Sequence, residues 1–298
     1  MATMRQGLIL ISSVYLLAVS CAKDEVIHEN LIIDGNIAPP VTGVSEIALN
    51  NYINSLYIDL FGRTATADEL SEHAETLQSE QYSIEAREGL VNSLLSDWEH
   101  INNIHLTTGQ KFLVDVDSFA IASQIAYWDY LIDLFTDMGM EGEAGYYIFE
   151  NDRLIKLITA HIDLANGTIG ADEFYRRYIN NYFYDQVNMG SLNFVVSCFT
   201  NLMQRYPTDD EQESGINMVD GVSDVLFLQD GSSKGDFIDI VTSTPEFFQG
   251  LVIESFNTYL ARDPNSLEMD TYTQQMMLEN NVNGVALIIL TSTEYAGF

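Results

Sequence analysis

Three stretches of this chain repeat one pattern that specifies a helix, a tight turn and a second helix. They are Leu60-Phe61-Gly62-Arg63-Thr64-Ala65-Thr66-Ala67-Asp68-Glu69, Leu202-Met203-Gln204-Arg205-Tyr206-Pro207-Thr208-Asp209-Asp210-Glu211 and Tyr259-Leu260-Ala261-Arg262-Asp263-Pro264-Asn265-Ser266-Leu267-Glu268. In each, an apolar helix end is followed by an arginine and two turn residues. Then comes Thr66, Thr208 or Asn265 with a glutamate three positions on (Glu69, Glu211, Glu268), the signature of a capping box. Upstream, Leu56 precedes Leu60, Phe199 precedes Met203 and Phe256 precedes Leu260 by four, so the three first helices are expected to bury equivalent faces. Arg63, Arg205 and Arg262 stand where a guanidinium satisfies orphan carbonyls, favours the negative end of the helix dipole, or pairs with the cap glutamate; a structural role is expected.

The rest of the chain carries helical periods. Ile121, Ile125, Trp128, Ile132 and Phe135 fall on one stripe of a helix over 118–138. Further helices are expected at 45–62, 66–80, 83–113, 144–164, 171–184, 191–204, 208–219, 236–243, 245–261, 265–278 and 282–296; Val225-Leu226-Phe227-Leu228 is the one short run that suits a strand. The expected fold is all-α, an irregular multi-helix bundle built partly from repeated helix-turn-helix units, over residues 45–298 with a subdivision near 186.

The N-terminus has a different character. Arg5 precedes an apolar run from Leu8 to Val19 that is too short for a spanning helix and reads as a signal peptide over 1–20. It ends in Leu17-Ala18-Val19-Ser20-Cys21, which resembles the lipobox of bacterial lipoproteins; the resemblance implies lipidation of Cys21. Lys23-Asp24-Glu25 resembles the export signal of Bacteroidota surface lipoproteins and implies an outer-membrane anchor facing the exterior. Residues 21–44, with Pro39-Pro40 and Gly43, read as a tether. Loss of Arg5 with residues 1–20 leaves 11 basic against 44 acidic residues, net −33, which repels nucleic acid. With Cys21 acylated, Cys198 has no partner for a disulfide.

A second repeat mark brackets the last helices: Ser243-Thr244-Pro245-Glu246-Phe247 and Ser292-Thr293-Glu294-Tyr295. Residues 242–298 resemble a helical repeat family of bacterial surface and secreted proteins with a Leu-Gly-Arg-x-Pro-Asp signature, and Leu60–Arg63 with Thr66–Glu69 resembles a helical region of planctomycete proteins that accompanies cytochrome c domains. Gln204 and Ala261 replace the glycine, and no Cys-x-x-Cys-His accompanies any copy. These resemblances imply fold and no chemistry.

Candidate chemistry is thin. Arg176, Arg177, Tyr178 and Tyr182 form an aromatic and basic cluster suited to a sugar or carboxylate ligand, against a bland reading as helix packing. Gly231-Ser232-Ser233-Lys234-Gly235 spells a nucleophile elbow, but no histidine follows it. Asp230–Asp236 starts like a calcium loop and fails at Lys234 and Val241. His100 and His105, five apart, point about 140° from each other around a helix and do not chelate one metal. No catalytic residue, metal or cofactor is expected. The expected function is that of a non-catalytic, surface-exposed outer-membrane lipoprotein, held to membrane through the lipid on Cys21, serving as an interaction or accessory subunit with an envelope protein partner. The alternative is a glycan- or peptide-binding surface lipoprotein with or without enzymatic activity.

Overall fold

The computed structural model describes residues 43–114 and 116–298. Residues 1–20, expected to be a signal peptide, together with Cys21, Lys23, Asp24, Glu25 and nearly all of the expected tether, lie outside the described residues. Fifteen helices and one two-stranded hairpin are seen among the described residues. Helices α1 (Glu46–Phe61), α2 (Ala67–Ser79), α3 (Ile84–Leu95) and α4 (Trp98–Leu113) make a first unit. Helices α5 (Ser118–Asp137) and α6 (Glu141–Ala165) form a long antiparallel pair, followed by the short α7 (Ala171–Ile179) and α8 (Tyr182–Val187). Next come α9 (Ser191–Met203), α10 (Asp209–Val219), β1 (Asp224–Leu226), β2 (Gln229–Gly231), α11 (Lys234–Ser243) and α12 (Pro245–Leu260). The chain closes with α13 (Ser266–Glu279), α14 (Val282–Thr291) and α15 (Thr293–Ala296).

Among the described residues the fold is all-α apart from that hairpin, and the capping boxes at Thr66, Thr208 and Asn265 start α2, α10 and α13. Three of the expected helices are each broken in two. The 83–113 span breaks where Asp97 caps α4, 171–184 where Asn181 caps α8, and 282–296 where Ser292 caps α15. In each case a short polar side chain captures the backbone N–H groups of a new first turn although the apolar period continues past it. The expected strand over 225–228 is also corrected. Val225 and Leu226 pair with Asp230 and Gln229, while Phe227 and Leu228 form the two-residue turn at φ 49° and 62°, as a primed hairpin turn requires.

Three units are equivalent: α1 to α4, α9 to α12 with the hairpin inserted, and α12 to α15. Helix α12 therefore ends one unit and begins the next. The side chains divide into two apolar clusters. One runs from Phe112 to Ile289 through α7, α9, α11 and α12; the other joins α1 and α3 to Ala286, Leu290 and Ala296 of the last unit. Tyr52 of α1 donates to the Leu290 carbonyl at 3.1 Å, fastening the first described helix to the last unit. Helices α9 and α12 approach so closely that a Cβ on Gly250 would lie 2.0 Å from the Leu202 carbonyl oxygen.

Candidate functional site

The three repeat arginines build identical clamps. Arg63 meets Glu69 through Nη1 and Nη2 at 2.9 and 2.8 Å, Glu99 through Nε and Nη2 at 2.6 and 2.8 Å, and the Thr64 carbonyl through Nη1 at 3.1 Å. Arg205 repeats this with Glu211, Glu246 and the Tyr206 carbonyl, and Arg262 with Glu268, Glu294 and the Asp263 carbonyl. A guanidinium has five N–H donors, and each clamp uses all five, leaving none for a ligand. Each also lies over the ring six residues before it: Tyr57 at 5.0 Å, Phe199 at 5.1 Å and Phe256 at 5.0 Å. This stacking corrects the expected register of the first copy, where Tyr57, not Leu56, is the counterpart of Phe199 and Phe256. The Arg63 and Arg205 guanidinium groups hold Glu69 and Glu211 down at about 2.

The second glutamate of each clamp stands at the second position of a helix, after caps Asp97, Thr244 and Ser292. Two of these sites were legible as the repeat marks Thr244-Pro245-Glu246-Phe247 and Ser292-Thr293-Glu294-Tyr295. The third, Ser96-Asp97-Trp98-Glu99-His100, hid inside an apparently continuous helix.

Arg176, Arg177, Tyr178 and Tyr182 do not converge on an open surface. Arg176 is taken by Asp239 at 2.6 Å, and Arg177 by Asp163 at 2.6 Å and Glu173 at 2.9 Å. Tyr178 is fully buried with its hydroxyl 2.6 Å from His105 Nδ1. Tyr182 packs edge-on against Trp128, centroids 5.1 Å apart. The cluster is helix packing, because the apolar face of α7 turns inward and its basic face is neutralised along its length. Nearby, Arg153 bridges Glu150 at 2.7 Å and Asp185 at 3.1 Å, and Asp185 also meets Lys234. The elbow-like segment 231–235 runs from the last residue of β2 into the first turn of α11, which Ser233 caps. His100 turns to the Leu60 carbonyl and Asn283, His105 to Tyr178 and Ser118. Among the described residues no three His, Cys, Asp or Glu side chains gather to hold a metal ion. Cys198 is buried and free, its thiol pushed up to about 12 by burial.

Two features remain open. One is a pair of cavities beside α4, of about 340 and 570 Å³, with Ile104 and Asn283 in both walls. The other is the surface of the α5–α6 pair. The predicted stripe of α5 faces α6, with Phe135 stacked on Tyr147 at 5.6 Å, yet only Ile121 and Trp128 of the 20 residues are buried. Phe119, 80 % exposed, and Tyr127, Tyr130, Leu134 and Met138 face outward, as do Tyr146, Ile148, Phe149, Ile155 and Ile162 around α6. No described helix is long and apolar enough to cross a membrane. Comparison with family models, curated proteins and solved structures finds no match.

Proposed function

We propose that this chain is a non-catalytic, lipid-anchored outer-membrane protein facing the cell exterior, and that it serves as an accessory subunit by docking an envelope protein through the α5–α6 pair. The observation that carries this reading is the apolar surface of α5 and α6. Ten large apolar side chains stay exposed on or beside two helices of 20 and 25 residues, and clustered apolar exposure of this kind marks interaction surfaces. The pair lies between two repeat units whose own residues are spent on packing and clamps. Its charge states what the partner offers. Asp129, Asp133, Asp137, Glu141, Glu143, Glu150, Asp152 and Asp163 stand against Arg153 and Lys156 alone, so the complement is an apolar protein surface rimmed by lysine and arginine.

The test is purification of the tagged protein from native outer membrane in mild detergent, for wild type and for Tyr130→Glu with Phe149→Glu. Both sites are exposed, so the variant is expected to keep its melting temperature and lose its partner. A solitary wild-type protein, or a variant that retains the same partner in the same amount, refutes the docking role. Protease treatment of intact cells separately tests the exterior location. The alternative of a glycan or peptide site at Arg176, Arg177, Tyr178 and Tyr182 draws no support from their pairing and burial.

A further inference from the structure

The smaller cavity opens where α1, α4, α12 and α13 meet, and its volume of about 340 Å³ falls at the lower end of the roughly 300–1,000 Å³ found for small-molecule sites. Its wall carries two carboxylates, Asp59 and Glu254, against one cation, Lys111, and also the rings of Phe112, Tyr175 and Tyr259. Lys111 displays the chemistry the cavity favours. Its Nζ lies 2.8 Å from Glu254 and 5.5 Å from the centre of the Phe112 ring, so an ammonium group sits between a carboxylate and an aromatic face. Asp59 is the second such carboxylate, and among the described residues no cation reaches it; the Tyr295 hydroxyl donates to it at 2.7 Å. Burial first, and then the charges of Asp59 and Glu254, hold the phenol proton on Tyr259. Burial lowers the pKa of His100 in the same wall and so disfavours its charged form.

We propose that this cavity binds a small organic ammonium ion, with its charge on Asp59 and its carbon chain against Tyr259 and the neighbouring rings. A cation there repeats the Lys111–Glu254 arrangement and neutralises a half-buried carboxylate whose ionised form burial disfavours. The wall's excess of one negative charge selects a cation over a neutral polyol of the same size.

The experiment is calorimetric titration of the full chain in non-ionic detergent near neutral pH with butylammonium chloride, and with 1-butanol as the neutral comparison. Butylammonium is expected to bind with a Kd of about 10 mM or below, and butanol at least tenfold more weakly. Asp59→Asn, which keeps an acceptor for the Tyr295 hydroxyl, is expected to weaken butylammonium at least tenfold, and Tyr259→Leu several-fold. Lowering the pH through the titration of Asp59 is expected to weaken it in the wild type, and this series decides the matter should either variant fail to fold. Absence of butylammonium binding, equal affinity for butanol, unchanged binding in folded Asp59→Asn, or pH-independent affinity would each overturn the proposal.

Discussion

The imidazoles of His105 and His161 stack face to face, with ring centroids 4.3 Å apart and planes tilted by 27°. His105 contacts the Tyr178 and Ser118 hydroxyls, while Nδ1 of His161 is buried without a partner among the described residues. Trp98 lies beyond His161 at 5.8 Å, and Asp163 is the one nearby carboxylate that opposes the shift of His161. Burial, and then the charge of His161, push His105 down to about 4 from 6.5; burial lowers His161 as well. A base whose folded pKa is depressed takes up protons preferentially in the unfolded chain, so its contribution is complete above about pH 6.5 and is lost as pH falls toward 4. The loss at His105 is on the order of 2–3 kcal/mol. Melting temperature is therefore expected to drop between pH 7 and 4.5, with a shallower slope in His161→Phe. An equal slope in that variant would show that the pair does not set it.

Removal of a clamp leaves two carboxylates facing each other without a cation. Arg205→Ala is expected to cost about 1–2 kcal/mol, and Arg205→Lys less, since a lysine keeps the charge and loses the planar fork. Urea unfolding at pH 7 measures both, and a change for Arg205→Ala within about 0.5 kcal/mol would rule out the clamp as a stabilising element. The two guanidinium groups are about equally exposed, but Glu294 is more exposed than Glu246, 52 % against 37 %, so solvent screens the third clamp more and Arg262→Ala is expected to have the smaller effect.

Two helical glycines should respond in opposite directions to alanine. A Cβ on Gly250 meets the Leu202 backbone, whereas a Cβ on Gly109 meets nothing within 4 Å. Gly250→Ala must force α9 and α12 apart and is expected to cost more than about 2 kcal/mol; Gly109→Ala is expected to stabilise by ~0.5–1 kcal/mol. Thermal melts of the two variants read the difference in sign.

The turn before each clamp arginine is left-handed in all copies, at φ 73° for Gly62, 57° for Gln204 and 51° for Ala261. Only the first copy has the residue that adopts this conformation without strain. Ala261→Gly is expected to raise stability by up to ~1 kcal/mol, the relief of strain exceeding the added freedom of the unfolded chain. A lowered melting temperature would contradict this account.

Much of the fold was legible because its strongest signals are local. The capping boxes announce themselves within four residues, and the α5 stripe within a few turns. What the sequence concealed depends on distance along the chain. Glu99, Glu246 and Glu294 join their arginines across 36, 41 and 32 positions, and Asp59, Lys111 and Glu254 come to one cavity wall from three helices. The cluster at Arg176, Arg177, Tyr178 and Tyr182 misled for the opposite reason. Residue types close in sequence suggested a surface, and α7 turns Tyr178 inward while Tyr182 falls on the separate helix α8.

Helix α12 presents Glu246 at its start to Arg205 of the unit before it and delivers Arg262 at its end to Glu268 and Glu294 of the unit after it. The two units are therefore not separable parts, because any cut that frees one takes a strut from the other. Native-state hydrogen exchange would find residues 191–298 opening as a single cooperative block. In such a chain a further copy enters only as a whole three-helix step, bringing its arginine and its two glutamates together.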